Sequence, residues 1–340
     1  MSSEMSMLNN VVEKCQLSII VPVYNVERYI RPCMESIFCQ GLDDKDYEVI
    51  IVNDGTQDRS MEVIQNIISQ HNNVTVINQE NRGLSVARNN GIAVAKGEYI
   101  LMPDPDDLLI ENSLGVLLEK ALDSKADLVV ADFLEMTDDR IKWFHGVSQK
   151  HPKVKEKTGE QLLLEDLNPL QCYVWRTLYR RNFLLDNHLS FVPEIRFQDI
   201  PFTHECYIKA KKVLRVYWRL NIYRKGRDGA STSSFDKTKA YNYCVAIAKT
   251  WALTKIDGLN SRIVRKIQED IYVTYVVLIH NCLYCNFKES ELIHLLYYLR
   301  QEVPDLNFAY GVRQRITTFM IWKMPRIYIR LMLFRIKMRG

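Results

Sequence analysis

Residues 17–25 read Leu-Ser-Ile-Ile-Val-Pro-Val-Tyr-Asn, an apolar run that stops at a proline and a polar turn pair. The same design recurs downstream. Tyr47–Val52 (YEVIIV) runs into Asn53-Asp54-Gly55, and Glu98–Met102 (EYILM) runs into Pro103-Asp104-Pro105-Asp106-Asp107. Val74–Ile77 and Asp127–Phe133 are two more short apolar runs. Helical spacing fills the intervals 26–39, 58–70, 84–95 and 112–124; in the second, Met61, Ile64, Ile67 and Ile68 mark one face. Continuous apolar strands alternating with helices predict an α/β fold, a mostly parallel sheet covered on both faces. Right-handed crossovers bring the strand C-termini to one edge, where open α/β sheets bind ligands.

The residues just after each strand are therefore informative. Asn, Asp and Gly make turns for their own sake, so the first two strand ends carry little alone. The third is different. Asp104, Asp106 and Asp107 put three mutually repelling carboxylates within four residues, where a turn needs one. A divalent cation with oxygen ligands explains such a cluster.

Residues 136–165 read as surface connections, with Thr137–Arg140 and His151–Thr158 the most polar stretches. A block from Glu160 to Lys212 holds Trp175, Tyr179, Phe197, Asp199 and Phe202; Val213–Tyr223 is strand-like, Lys225–Ser234 is a Gly/Ser-rich loop, and Lys237 to about Leu299 is helical. This divides the chain into an N-terminal unit, 1–235, with halves 15–135 and 136–235 that the resemblance described below assigns to donor and to acceptor and base in a catalytic domain, and a helical C-terminal region, 236–340, with a basic aromatic tail at 306–340.

Composition supports a globular protein: 340 residues, 47% hydrophobic and 25% charged. The net charge of +4 is uneven, because no Asp or Glu follows Asp305 while eight Lys and Arg do, leaving residues 1–305 at −4. A mildly acidic body argues against a nucleic-acid reader. The eight cysteines are scattered through apolar runs, as small buried residues of a reducing compartment would be. Cys282 and Cys285 form one CxxC without a matching ligand pair for zinc. The N-terminus has no basic segment followed by an apolar stretch, so the expected location is the cytoplasm. Ile271–Phe287 lacks formal charge but is too short and polar for a membrane span, and reads as a core helix.

Four motifs in order carry a resemblance: LSIIVPVYN at 17–25, VNDGTQD at 52–58, NRGLSVARNNGI at 81–92 and YILMPDPDDL at 99–108. Together they resemble the family 2 glycosyltransferases, inverting enzymes with the GT-A fold, over about the first 135 residues. The resemblance implies that Pro22, Tyr24, Asn25 and Asp54 hold the base and ribose of a nucleotide-sugar. It implies that Gly83 and Arg88 lie beside its diphosphate, where a helix N-terminus and a cation favour anions. Asp104-Pro105-Asp106-Asp107 is similar to the family's DxD element. That likeness implies a Mg²⁺ or Mn²⁺ ion with Asp106 as its main ligand, puts Asp104 beside it and against the sugar or ribose, and gives Asp107 a role in orienting the site or holding donor hydroxyls.

An inverting transfer needs a base for the acceptor hydroxyl. Relatives carry it in a Glu-Asp element after a Phe, which Phe197-Gln198-Asp199 resembles with Gln198 in place of the first acid. Asp199 is the candidate, Glu194 and Glu205 compete, and helix capping before Pro201 is the other role open to Asp199. Tyr223-Arg224 followed by Ser231 resembles a further family segment, so Arg224 is expected at the donor or acceptor phosphate. YVWRTLYR at 173–180 resembles another, but Thr177 replaces its lysine, and Trp175 fits the core better than a sugar face.

The implied activity is transfer of one sugar from a UDP-sugar or similar donor to a glycan or lipid-linked acceptor in cell-surface polysaccharide synthesis. A nucleotidylyltransferase would show a Gly-rich loop after the first strand, and a Rossmann oxidoreductase a G-x-G-x-x-G; neither is present. A non-catalytic nucleotide-sugar-binding module would need no base. The tail, ITTFMIWKMPRIYIRLMLFRIKMR at 316–339, interleaves apolar and basic residues. It reads either as a contact with anionic lipid on the inner face of the membrane or as a helix docked on the body.

Overall fold

Leu17–Val23 forms strand β1, and every one of its residues is buried. β2 (Tyr47–Asn53), β3 (Val74–Asn78) and β4 (Tyr99–Leu101) come next in a computed structural model that describes residues 15–227, 235–308 and 310–337. β1 pairs in parallel with β2 on one side and β4 on the other, and β2 pairs with β3. Leu17, Ile19 and Val21 pack with Ile30, Met34 and Leu117 on one face of the sheet, while Ile20 packs with Ala87 and Ile92 on the other. Strand side chains alternate between faces, so a run apolar at almost every position is what a sheet covered on both sides requires.

Five further strands complete a nine-stranded sheet: β5 (Leu108–Leu109), β6 (Leu128–Thr137), β7 (Lys153–Lys157), β8 (Thr177–Arg180) and β9 (Val213–Lys225). The order is β3-β2-β1-β4-β8-β6-β9-β5, with β7 on β9. β6 and β9 run with the first four strands, and β5, β7 and β8 run against them. The fifth apolar run, β6, does not lie beside β4, because the short reversed β8 inserts between them. Its backbone groups serve both neighbours, as buried strand edges require.

Two surface connections carry regular structure where the sequence reads as irregular. Residues 138–142 form a helical turn, and β7 forms an exposed edge strand whose lysines and glutamate (KVKEK) suit an edge. The helix expected at 26–39 begins only at Ile30, and the one at 58–70 splits into Ser60–Val63 and Gln65–Gln70. Residues 26–29 instead close on the next loop, where the Val26 N–H donates to Ser60 Oγ at 2.9 Å.

Beyond β9 lie helices Lys237–Ala252, Ser261–Tyr284, Glu289–Glu302, Val312–Lys323 and Pro325–Lys337. The core around Ile20 continues without a break through Phe202, Tyr243, Tyr275 and Leu295 to Ile321 and Ile329. Ile271, Leu278 and Cys282 are buried in it, the core role expected of that uncharged stretch. Among the described residues no helix is long and apolar enough to cross a membrane. The order of strands reverses between β1 and β4, which opens a crevice at their C-terminal ends.

Candidate active site

The loops after β1, β2 and β4 meet at this crevice. Pro22 is buried within β1, while Tyr24, two residues on, is 41% exposed. Asn25 takes a left-handed conformation (φ 51°), and its Oδ1 accepts from the Gln57 N–H at 3.1 Å. The Asp54 carboxylate is almost wholly buried and already engaged. Oδ1 accepts from Gln79 Nε2 (2.7 Å) and the Arg82 N–H (2.8 Å), and Oδ2 from the Gly83 N–H (2.9 Å). Asp54 thus clamps the 79–83 loop rather than presenting a bare carboxylate. Gly55 makes the approach feasible: at φ 66° a Cβ there would lie 2.9 Å from the Asn81 nitrogen. Gly83, at φ 83°, begins helix Leu84–Val94 with open space where its side chain would be.

The acidic cluster forms as expected. Oxygens of Asp104, Asp106 and Asp107 lie within 4.8 Å of one another. Each is held by a different partner. Arg88 Nη2 donates to Asp104 Oδ1 at 2.5 Å. Arg227 pairs with the Asp106 carboxylate, and Arg224 Nε donates to the Asp106 carbonyl at 2.8 Å. The Arg224 N–H donates to Asp107 Oδ1 at 2.8 Å, and the Arg224 guanidinium pairs with Asp138. The antiparallel pairing of Leu108 with Ile222 brings Arg224 there.

Asp107 is 1% exposed, and its Oδ2 has no partner. An orphaned buried carboxylate oxygen beside two other carboxylates is the donor set a hard divalent cation takes. The protonation behaviour agrees. Desolvation, then the neighbouring Asp106, raises the Asp107 carboxyl well above the ordinary range. Desolvation lifts Asp104 to about 6 against the pull of Arg88, with Asp106 and Asp199 adding to the rise. Nearby positive charge would relieve both.

Asp199 is the first residue of helix Asp199–Lys209; the capping position belongs to Gln198, whose side chain makes no cap bond. The carboxyl is half-buried and lifted to about 6 by desolvation, while Arg88, the backbone N–H groups of residues 199 and 200, and His204 pull it down. Phe197 just before it sits at φ 62°, an uncommon conformation for a bulky residue, and stacks on Tyr243 at 3.8 Å. Of the competitors, Glu194 is exposed and Glu205 pairs with Lys209 at 2.8 Å.

The glycosyl transferase family 2 profile matches residues 18–184. EpsJ of Bacillus subtilis (strain 168), an uncharacterized glycosyltransferase, is 37% identical over 211 residues, which is 62% of this chain and 61% of that protein. The chain thus spans less than two thirds of EpsJ. YibD of Escherichia coli (strain K12), also described as an uncharacterized glycosyltransferase, is 30% identical over 234 residues, 67% of each chain. The chain belongs to glycosyltransferase family 2. Its fold matches that of S. aureus TarS (residues 1–349), solved with UDP, at a TM-score of 0.75 and 19% identity over 96% of this chain and 92% of that one. A second TarS structure, with UDP-GlcNAc, matches at 0.67 and 18% identity over 92% and 91%.

Three features of this glycosyltransferase escaped the sequence. Arg227 on Asp106 and Asp138 on Arg224 belong to stretches that read as loop, although the position of Arg227 just after the Tyr223-Arg224 segment was a usable signal. The third is aromatic. Tyr173 stacks on Trp175 at 4.8 Å, and Tyr223 lies 5.3 Å from Tyr173. Trp175 is buried, as expected of a core residue, whereas Tyr173 and Tyr223 are half-buried. Burial, then Asp107, pushes the Tyr223 hydroxyl up to about 12. Ser231 lies outside the described residues.

Proposed function

We propose that this glycosyltransferase moves one sugar from a nucleoside-diphosphate sugar, a UDP-sugar in the first instance, to a hydroxyl of a glycan or lipid-linked acceptor, with inversion. The observation that carries the reading is the orphaned Asp107 oxygen within the Asp104–Asp106–Asp107 cluster, at a crevice shared with half-buried Asp199. The fold likeness to TarS, solved with UDP and UDP-GlcNAc, supports the choice of donor. Cell-surface polysaccharide synthesis is the setting we assign.

In this reading Tyr24 offers its exposed ring to the base, and the loop that Asp54 clamps forms the wall beside it. Gly83 leaves the N-terminus of its helix open to the donor. Asp106, Asp104 and Asp107 would hold Mg²⁺ or Mn²⁺, which when bound neutralises charge on the departing diphosphate. Arg224 and Arg227 add positive charge at the same place. Asp199 takes the proton of the acceptor hydroxyl as its oxygen bonds to the anomeric carbon. The bond from that carbon to the diphosphate oxygen breaks on the opposite side, and the nucleoside diphosphate carries away the electron pair. Tyr173 and Tyr223 offer ring faces to a sugar. Arg88 fixes Asp104.

The C-terminal helices suit work at an anionic membrane surface in the cytoplasm. Val312, Ile316 and Phe319 recur on one face of their helix and are exposed, and Ile327, Leu331 and Phe334 do the same on the next. Lys323, Arg326 and Arg330 lie among them, exposed, and the opposite faces bury Ile321 and Ile329. The helices therefore dock on the body and still present apolar and basic groups outward. The test of the function is a screen of UDP-, GDP- and TDP-sugars with Mg²⁺ or Mn²⁺, read as release of nucleoside diphosphate. Release with no donor would overturn it.

A further inference from the structure

The three carboxylates of the acidic cluster are held in three different ways. Asp104 is paired with Arg88, which is rooted in the helix after Gly83 and is 2% exposed. Asp107 accepts the Arg224 N–H on one oxygen, and its other oxygen is buried without a partner. The Asp106 carboxylate is paired with the guanidinium of Arg227. The two arginines of this segment differ in their anchorage. Arg224 is fixed within β9 by its own N–H on Asp107, by its Nε on the Asp106 carbonyl and by its guanidinium on Asp138. Arg227 lies beyond the strand, after Gly226, which sits at φ 72° with open space around it. It is held through its side chain, by the Asp106 carboxylate and by the Tyr29 ring, whose centre is 5.4 Å from the guanidinium. Arg224 faces the same ring at 5.0 Å.

A guanidinium and a hard divalent cation want the same carboxylate. Oxygens of Asp104, Asp106 and Asp107 lie within 4.8 Å of one another, so a cation bound by them would stand within a few ångströms of the Arg227 guanidinium. Like charges at that range repel strongly, even in a partly hydrated site. We infer that Arg227 competes with the divalent cation for the Asp106 carboxylate, and that a diphosphate relieves the competition by taking the displaced guanidinium. The inference rests on the reading of the cluster as a cation site that serves a nucleoside diphosphate. It makes Arg227 a positioning residue that sets the order of binding. The ion alone strands a guanidinium that has lost its carboxylate, so it binds weakly. The diphosphate offers that guanidinium a new anionic partner, and ion and nucleotide then support each other.

The test is Mn²⁺ binding to the full-length protein, read from the EPR signal of free aqueous Mn²⁺, without nucleotide and with UDP. Mn²⁺ held by UDP in solution is measured separately. Arg227→Met removes the competitor, so Mn²⁺ alone should bind about tenfold tighter than to wild type, as expected where the competent state is only about one-tenth populated. The factor by which UDP tightens Mn²⁺ binding should fall by a similar amount. Arg227→Gln should behave alike, and carries the test should circular dichroism find Arg227→Met unfolded. Affinity in these variants equal to wild type or weaker would overturn the competition. Tighter binding with the UDP factor unchanged would reduce Arg227 to a fixed charge beside the site, and would overturn the exchange. If Mn²⁺ binds wild type and is lost in Asp106→Ala while the Arg227 variants match wild type, the cation site stands and this inference alone fails. If Mn²⁺ binds none of them, with or without UDP, the cation site fails and the inference with it.

Discussion

Arg88 Nη2 sits 2.5 Å from Asp104 Oδ1, and the same guanidinium lies 5.3 Å from the centre of the Phe191 ring. Phe191 in turn stacks on Phe202, three residues after Asp199, at 3.9 Å. One 2%-exposed cation thus ties the acidic cluster to the helix that carries the proposed base. Its Nε has no partner, so the side chain is held by this pair and by packing.

Arg88→Met should therefore leave Asp104 desolvated and unpaired, with its carboxyl driven further up. We expect a loss of about 2–4 kcal/mol in urea unfolding, set below the fully buried case because Asp104 is partly exposed. Combining it with Asp104→Asn should restore part of that loss. Strict additivity of the two changes would contradict the pairing.

Asp199→Asn keeps the size of the side chain but cannot take a proton. Turnover should fall by about 10²–10⁴-fold with UDP binding near wild type. A larger loss in Glu194→Gln or Glu205→Gln would mean that the base is elsewhere.

The pH dependence comes from the same carboxyl. Its value is raised to about 6, and only the ionised form accepts a proton, so kcat/KM should fall as pH drops through about 6. The stability term has the opposite sense. Folded protein binds this proton more tightly than unfolded chain does, so the contribution of Asp199 is full below about pH 4 and is lost as pH rises towards 6. A pH–rate profile with no limb in this region, or one that Asp199→Glu leaves unmoved, would contradict the assignment.

Removing everything after Asp305 would be a poor test of the tail, since Ile321 and Ile329 belong to the core and Trp322 Nε1 donates to the Leu306 carbonyl at 2.8 Å. Surface changes are cleaner. Phe319→Ser with Ile327→Ser, or Arg326→Glu with Lys323→Glu, should abolish flotation with anionic vesicles while leaving UDP binding intact. Wild type should float and be released in part by high salt. Failure of wild type to float, or flotation of every variant, would contradict membrane contact.

The N-terminal half of the sheet was legible because its physics is local. β1, β2 and β4 are apolar at nearly every position, and the polar residues just beyond them fall at one edge by topology alone. The Asp104–Asp107 cluster was legible because like charges crowded in sequence need a reason. β8 was not, since four residues gain strand character only from the two neighbours they bridge. Nor was the use made of Asp54 and Arg88: a motif says that a carboxylate and a guanidinium are present, but not that loop N–H groups and Asp104 have claimed them.

The central claim is that Asp104, Asp106 and Asp107 form a divalent-cation site that serves a nucleoside diphosphate. Thermal unfolding with UDP, in Mn²⁺ and in EDTA, tests it most directly. UDP and the ion should each strengthen the other's hold, so UDP should raise Tm in Mn²⁺ and hardly at all in EDTA, and Asp106→Ala should lose the Mn²⁺-dependent part. Equal stabilisation by UDP in both buffers, or a full Mn²⁺ effect in Asp106→Ala, would contradict the account.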